Sequence, residues 1–313
     1  MAEKLSLKRK FKALGTDVFI EVVAKSQRTK KIAKKDLKEA KKIFLRGQKI
    51  FCRFNPASGL SKLNRNLGIW KKASPDMLYL AKRALFYNRE SGGLYDPRVI
   101  EALEKIGYKD DKSAIEKPVF KSGKLKNLSA DLKVKQDKIF FGRRMDFSGI
   151  AKGYVVDQAA QFLKKRGWKN FFINANGDAY AAGRDAKGEK WKLPIEGARN
   201  KRTAIYFSNQ AVATSGVIKR QWKHQGKNVH HLINPKNPNR FSFETKAVLV
   251  LHKKVEQADG RAKVLVLMGP RRGIRYAKRK KLKAIFIDKQ GRIVFPNQRD
   301  YEFDIMLQCS RAL

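Results

Sequence analysis

Acidic residues are scarce in this sequence: 28 Asp and Glu stand against 72 Lys and Arg, for a formal net charge of +44. Cysteine is scarcer still, with only Cys52 and Cys309 and no C-x-x-C spacing. That pattern excludes a disulfide framework and a zinc ribbon, and it points to a reducing compartment. Proline numbers 9 in 313 residues, and there is neither a Pro- or Ser-rich linker nor a fixed-period repeat. Solenoids and strings of domains are thereby removed. No apolar run is long enough to span a bilayer. The amino terminus is positive but lacks the apolar core, about 7 to 15 residues long, of a signal peptide. The expected location is the cytoplasm.

What is present suits one folded body. A 42% apolar fraction with 10% aromatics is ordinary for a globular protein, and a chain of this length can bury a large core. Every part of the chain is net basic. The two densest runs, residues 30–42 and 271–283, interleave Ile, Leu, Ala or Tyr at helical spacing, as solvated helix faces do. A nucleic-acid arm would instead concentrate its charge in a block. A nucleic-acid-binding module is therefore a reading motivated by charge alone, and nucleic acid is not the expected partner. An anionic membrane or an acidic protein would suit the same charge.

Periodicity places a strand at residues 18–23 and a basic amphipathic helix over 30–51. Ser74-Pro75-Asp76 is a helix start with Ser at the cap and Pro in the first turn, and Asp96-Pro97 repeats that signal. Residues 109–137 are lysine-rich and aperiodic, which predicts loops and short strands. A strand at 139–141, a helix from Ala151 to Gly167 and strands at 171–175, 192–195, 203–207, 229–233 and 246–252 follow. A helix over 257–268 and a hairpin across Lys289-Gln290-Gly291 complete the chain. Helix and strand do not alternate strictly, so the expected fold is α+β, a single compact unit of mixed or antiparallel sheets with packed helices.

Asp146-Phe147-Ser148-Gly149-Ile150-Ala151-Lys152-Gly153 brings a carboxylate, an open turn and a lysine to a helix entrance. Unsatisfied N–H groups there attract anions, and Lys152 adds full charge. The segment is either a phosphate site or a helix capped by Asp146 or Ser148; the Walker order and G-x-G-x-x-G are both missing. Thr214-Ser215-Gly216 is either a plain turn or a strand end offering hydroxyls. His230 and His231, adjacent in a strand pattern, point to opposite faces, so one at most serves a given site, either as a base or phosphate contact rather than a zinc ligand, or as an ordinary core or surface histidine. Asp259 either complements a helix dipole or binds a hard cation.

Taken in order, these segments resemble the FAD:protein FMN transferase family, flavin-trafficking enzymes once described as thiamine-biosynthesis lipoproteins. Leu14-Gly15-Thr16 resembles its Met-Gly-Thr. Phe-Asn-Pro-Ala-Ser-Gly-Leu-Ser-Lys-Leu-Asn from position 54 is similar to its aromatic, Ser-containing segment ending in Leu-Asn, and Gly93-Leu94-Tyr95-Asp96-Pro97 to its Gly-x-Phe-Asp-Pro. Asp146 to Gly153, continued by Tyr154 and Asp157, resembles Asp-Leu-Gly-x-Ile-Ala-Lys-Gly-Tyr-x-x-Asp. Asn174-Ala175-Asn176-Gly177-Asp178, Thr214-Ser215-Gly216 and His230-His231-Leu232-Ile233-Asn234-Pro235 recur in register. The specificity lies in their number and order.

The resemblance implies an ApbE-like α+β fold related to the T-fold, one transferase domain over the whole chain, and FAD as donor substrate. It implies Mg²⁺ at the pyrophosphate and an acceptor flavoprotein modified on a Thr or Ser hydroxyl, with release of AMP. By carry-over, Leu14, Gly15, Thr16, Phe54, Leu94, Tyr95, Asp96, Asp146 and Lys152 line the FAD site, with Thr214, Ser215 and Gly216 close by. His231 and Lys152 are the implied catalytic residues, His231 facing the diphosphate. The Gly149 carbonyl and Asp259 would hold the metal. The family's Asp-Ala-x-x-Thr is here Asp259-Gly260-Arg261-Ala262-Lys263, and a protonated lysine has no lone pair to donate. Lys263 would then stand partly in place of the cation. An FAD pyrophosphatase or a flavin-binding protein without transferase activity would keep the same site and lose the acceptor. No acceptor motif lies in this chain.

Overall fold

The computed structural model describes residues 5–108 and 127–297. The lysine-rich stretch 109–126 and Cys309 lie outside the described residues. From the amino terminus run β1 (Leu5–Ala13), β2 (Thr16–Ala24), α1 (Gln27–Phe51), α2 (Gly59–Asn64), β3 (Trp70–Lys72) and α3 (Pro75–Glu90). A 3-10 turn (Pro97–Val99), α4 (Ile100–Lys105), α5 (Leu128–Asp131), β4 (Leu132–Lys135) and β5 (Lys138–Phe141) follow. Next come α6 (Ser148–Lys165), β6 (Phe171–Ala175), β7 (Asp178–Ala182), β8 (Trp191–Pro194), β9 (Ala204–Phe207) and β10 (Gln210–Gly216). The chain continues through β11 (Gln221–His224), β12 (Lys227–His230), β13 (Thr245–His252), α7 (Val255–Arg279), β14 (Lys283–Asp288) and β15 (Ile293–Val294).

Packing divides the chain into two compact units. The first comprises Met1–Arg46, Lys152–Gly216 and Glu244–Leu313. Its sheet has the order β1-β2-β6-β7-β10-β13-β14-β15, and each neighbouring pair is antiparallel. Leu14 and Gly15 turn the β1–β2 hairpin with φ of 53° and 67°, the left-handed backbone that a tight hairpin requires. One face of the sheet is closed by the β8–β9 hairpin over a core that includes Phe172, Trp191, Phe207, Leu249 and Ile285. Phe172 stacks on Trp191 at 5.4 Å.

The second unit comprises Gly47–Ala151 and Val217–Phe243. It holds the three-stranded sheet β3-β5-β4 and the β11–β12 hairpin, again antiparallel. Val99, Leu103 and Ile106 pack with Val229 and Ile233. The start signals read from sequence act as expected. Ser74 Oγ accepts the Met77 N–H at 3.2 Å, and Asp96 Oδ1 accepts the Arg98 N–H at 2.9 Å.

The α+β class with antiparallel sheets is as expected. Some elements differ. The strand expected over 229–233 ends at His230, so His231 lies beyond it and strict alternation does not govern its direction. β7 is buried at every position, and its alanine-rich run carries no period of two to be read. The helix around 257–268 runs on to Arg279, broken where Gly269 turns to φ 73° before Pro270.

Candidate active site

In the second unit the site is organised by an arginine. The Arg53 guanidinium lies 4.1 Å from the Phe54 ring centroid and 5.3 Å from that of Tyr108. It donates toward Asp146 Oδ2 at 3.2 Å and approaches Glu104 at 3.6 Å, with a side chain only 6% exposed. Asp146 Oδ1 accepts the Ser148 N–H at 2.8 Å. Ser148 is the first residue of α6, Phe147 stands at the cap position with its carbonyl accepting the Ala151 N–H at 2.9 Å, and Asp146, one residue earlier, satisfies the first N–H of the helix. Tyr108 stacks on Trp222 at 5.4 Å and lies 6.4 Å from His231. Phe54, Asp146 and His231, distant in sequence, are thus gathered around Arg53 and Tyr108. Neither of those two stood among the expected residues, and no local motif marks them.

His230 is enclosed by Phe241 and Phe243 at 5.2 and 5.0 Å, and burial pulls its pKa down. His231 is half-buried, with Nδ1 3.4 Å from the Arg220 carbonyl. The tautomer that donates from Nδ1 carries its lone pair on Nε2, the form a general base needs. Leu94 and Tyr95 are buried, Tyr95 against Tyr87 at 5.6 Å, and the Tyr95 main chain is held by Ser91 Oγ at 2.9 Å and by the Asn88 amide at 2.8 Å, so Tyr95 shapes this segment from within. Asp96 is engaged by Arg98 through Nε at 3.0 Å and Nη2 at 2.6 Å, a structural clamp that continues from Arg98 to Asp131 at 2.6 Å. Gly149 is in the first turn of α6.

In the first unit the charged residues converge. Lys152 stands more than a turn into α6, past the helix-entrance amides beside which the sequence reading put it. Its ammonium pairs with Asp178, whose side chain is fully buried. Asp178 Oδ1 is buried without a hydrogen-bond partner. Asp259, buried on α7, is held well above the usual carboxylate range by burial first and then by the Asp178 charge, while Lys152 and Lys263 pull it down. The Asn176-Gly177 turn leads Asp178 into place. A Cβ on Gly177 would stand 3.2 Å from Thr214 Cβ, so Thr214 borders that turn. Ser215 and Gly216 pair with Val248 and Ala247 at the end of β10. Asp178 lies within the Asn174–Asp178 motif but is not among the site residues that the resemblance implies; the signal for it in the sequence is a carboxylate directly after an Asn-Gly turn.

Close packing of α6 on α7 sets this register. Gly153 N–H donates to Asp259 Oδ2 at 3.4 Å. One turn on, the Asp157 carboxylate accepts the Val255 and Glu256 N–H groups at 2.8 and 3.0 Å and so caps α7. Burial, the largest cause, raises the Asp157 pKa to about 6. A raised acid favours the folded state most below its unfolded pKa, and this contribution is lost as pH rises through about 6. Asp157→Asn removes that dependence: the difference between wild-type and variant unfolding midpoints should change between the ordinary Asp range and about 6 and flatten above it. A pH-independent difference measured by urea denaturation would contradict it.

The sequence profile described as the ApbE family matches residues 14–286 and runs through both units. The chain belongs to the ApbE family. Among ApbE relatives, the FAD:protein FMN transferase of Vibrio cholerae is 30% identical over 149 residues, which cover 46% of this chain and 45% of that protein. This chain therefore spans under half the length of that relative in the aligned region. The protein of the same name from Buchnera aphidicola is 24% identical over 92% of this chain and 88% of its own. Two solved ApbE structures share the fold. The apbE protein of Thermotoga maritima has a TM-score of 0.79 at 22% identity, covering 95% of this chain and 98% of that one. The apo flavinyl transferase ApbE of Pseudomonas stutzeri has a TM-score of 0.76 at 21% identity, covering 93% of each.

Proposed function

We propose that this chain is an FAD:protein FMN transferase that moves FMN from FAD to a Thr or Ser hydroxyl of an acceptor flavoprotein. The acceptor oxygen forms a bond to the FMN phosphorus, the diphosphate P–O–P link breaks, AMP leaves, and the hydroxyl proton passes to a base. The observation that carries the reading is the pair of buried carboxylates, Asp178 and Asp259, with half-buried Lys152 and Lys263 beside them, in a chain of the ApbE family. Attack on a diphosphate needs positioned charge more than covalent catalysis. Lys152 and Lys263 would face the phosphate charge, His231 would accept the proton, and Phe54 would hold an aromatic ring of the donor.

Among the described residues, no group of three or more His, Cys, Asp or Glu side chains is placed to hold a metal. Mg²⁺ does not require one, because it favours one or two carboxylates together with substrate phosphates and water. The unpartnered Asp178 Oδ1 and the destabilised Asp259 carboxylate fit that demand, and Asp178 would supply the oxygen donor that the Lys263 ammonium cannot. A bound Mg²⁺ would neutralise phosphate charge as it develops on the leaving AMP. Calorimetric titration of Mg²⁺ onto the protein should weaken with Asp178→Asn and tighten with Lys263→Thr. Equal affinity in all three proteins would remove the proposed site.

Incubation with FAD, Mg²⁺ and Thr-bearing acceptor proteins, followed by mass spectrometry, tests the activity. The expected product is an acceptor heavier by one FMN, and His231→Ala should slow its formation roughly a hundredfold, the scale of general-base catalysis. FMN and AMP released without an adduct would instead assign the chain as an FAD pyrophosphatase.

A further inference from the structure

Large apolar side chains are rarely left in water beside one another, yet Ile69 is 51% and Trp70 41% exposed at the β3 edge of the second unit. The register of the three-stranded sheet shows what accompanies them. Trp70 pairs with Phe140, which pairs on its other side with Lys133. These three side chains lie abreast on one face. Two residues along, Lys72, Lys138 and Lys135 form the next row of the same face. The opposite face carries Leu132, Ile139 and Phe141, all buried. Apart from exposed Lys71 at the β3 edge, that side of the small sheet is core. The other is a pair of aromatic rings bordered by exposed lysines.

We propose that this face docks on an anionic lipid bilayer. Trp70 would enter the interfacial zone, with Ile69 exposed just before β3 at the adjoining edge, while the lysines meet lipid phosphates. The combination suits that partner because an amphipathic indole favours the headgroup boundary and lysines near an anionic leaflet add attraction cooperatively. Exposed aliphatic surface at Ile69 has no use in base stacking. The Phe140 ring is occupied by Trp70 at 5.8 Å and by the Lys133 ammonium at 5.0 Å, where a single-strand platform would need an open aromatic face. The basic side chains of the face are all lysine, with none of the arginine forks that favour nucleic-acid contacts. Asp137, in the turn between β4 and β5, is paired with Lys72 at 3.7 Å. This surface is separate from the residues assigned to flavin transfer, so the proposal stands apart from that reading.

The test uses the full chain with phosphatidylcholine vesicles and with mixed phosphatidylcholine/phosphatidylglycerol vesicles. The protein should sediment with the mixed vesicles alone, and brominated acyl chains should quench tryptophan emission by an amount that Trp70→Phe abolishes. Ile69→Ser combined with Trp70→Ser should lower the partition coefficient roughly tenfold, as loss of the inserted apolar surface predicts, with an unchanged melting temperature. Replacing Lys72, Lys133, Lys135 and Lys138 together by Gln should lower it at least as much. This second variant tests the face independently should the first fold poorly. Wild-type partition by both variants would show that diffuse charge carries the binding and would overturn the proposal. So would protection of Trp70 from iodide by a single-stranded oligothymidylate with no quenching from brominated lipid, which would assign the face to nucleic acid.

Discussion

Lys152→Met should lower FMN transfer by about a hundredfold or more, the scale seen when one positioned charge is removed from a developing anion. It should also destabilise the protein. The Lys152 side chain is 19% exposed and that of Asp178 is fully buried, so the variant leaves a buried carboxylate without its cation. Breaking such a pair from one side costs about 3 kcal/mol. The sign of the pH effect follows from the neighbours. Asp259 already resists ionisation because it is buried beside Asp178, and losing an ammonium makes two ionised carboxylates there costlier. The deficit should therefore be larger in alkaline buffer and shrink on acidification. Pairing the change with Asp178→Asn should recover most of the stability, which identifies the stranded carboxylate as the cause of the destabilisation; the chemical role of Lys152 is read from the transfer rate of folded Lys152→Met. Wild-type turnover by Lys152→Met would end the assignment.

Gly153→Ala should be the second large effect, with a sign opposite to the usual one. Within a helix, Ala in place of Gly is normally worth about 1 kcal/mol of added stability. Here a Cβ would stand 2.8 Å from Glu256 Cα and 2.8 Å from the Val255 carbonyl oxygen. Both are backbone atoms of the first turn of α7, and that turn is tied down by Asp157. No side chain can swing away, so the helices must separate, at a cost of about 2 kcal/mol by the measure of overpacked cores. The separation would also pull Asp259 from the Gly153 N–H and from the neighbourhood of Lys152. Urea denaturation should show lower stability, and the transfer assay a matching loss. A variant as stable as the wild type would show that α6 and α7 are not in the close register described.

Much of the candidate site was legible because its segments are written in local motifs. The helix entered through Asp146, the Asn-Gly turn before Asp178, and the Thr214-Ser215-Gly216 strand end each depend on residues close in sequence, where capping and turn chemistry act. Arg53, Tyr108 and Trp222 were not legible. Their roles arise from ring stacking and an ion pair between segments far apart in the chain, and nothing in the sequence beside them announces the partner. The same limit explains Asp96. Its place in a motif is visible, whereas its engagement by Arg98 becomes visible only when both side chains are placed.

The sequence by itself determined the family, the α+β class, most helices and strands, and the departure at Lys263, because motif order and hydrophobic period are properties of one dimension. It also set the scarcity of acid that made +44 the first observation. Only the tertiary structure decided which few lysines stand beside buried carboxylates or share a face with aromatic rings. Burial strips water from Asp178 and Asp259, so the charges of Lys152 and Lys263 act on them at low dielectric. Sheet register aligns Lys72, Lys133, Lys135 and Lys138 beside two aromatic rings. Most of the other lysines are solvated, and water screens what charge alone would suggest.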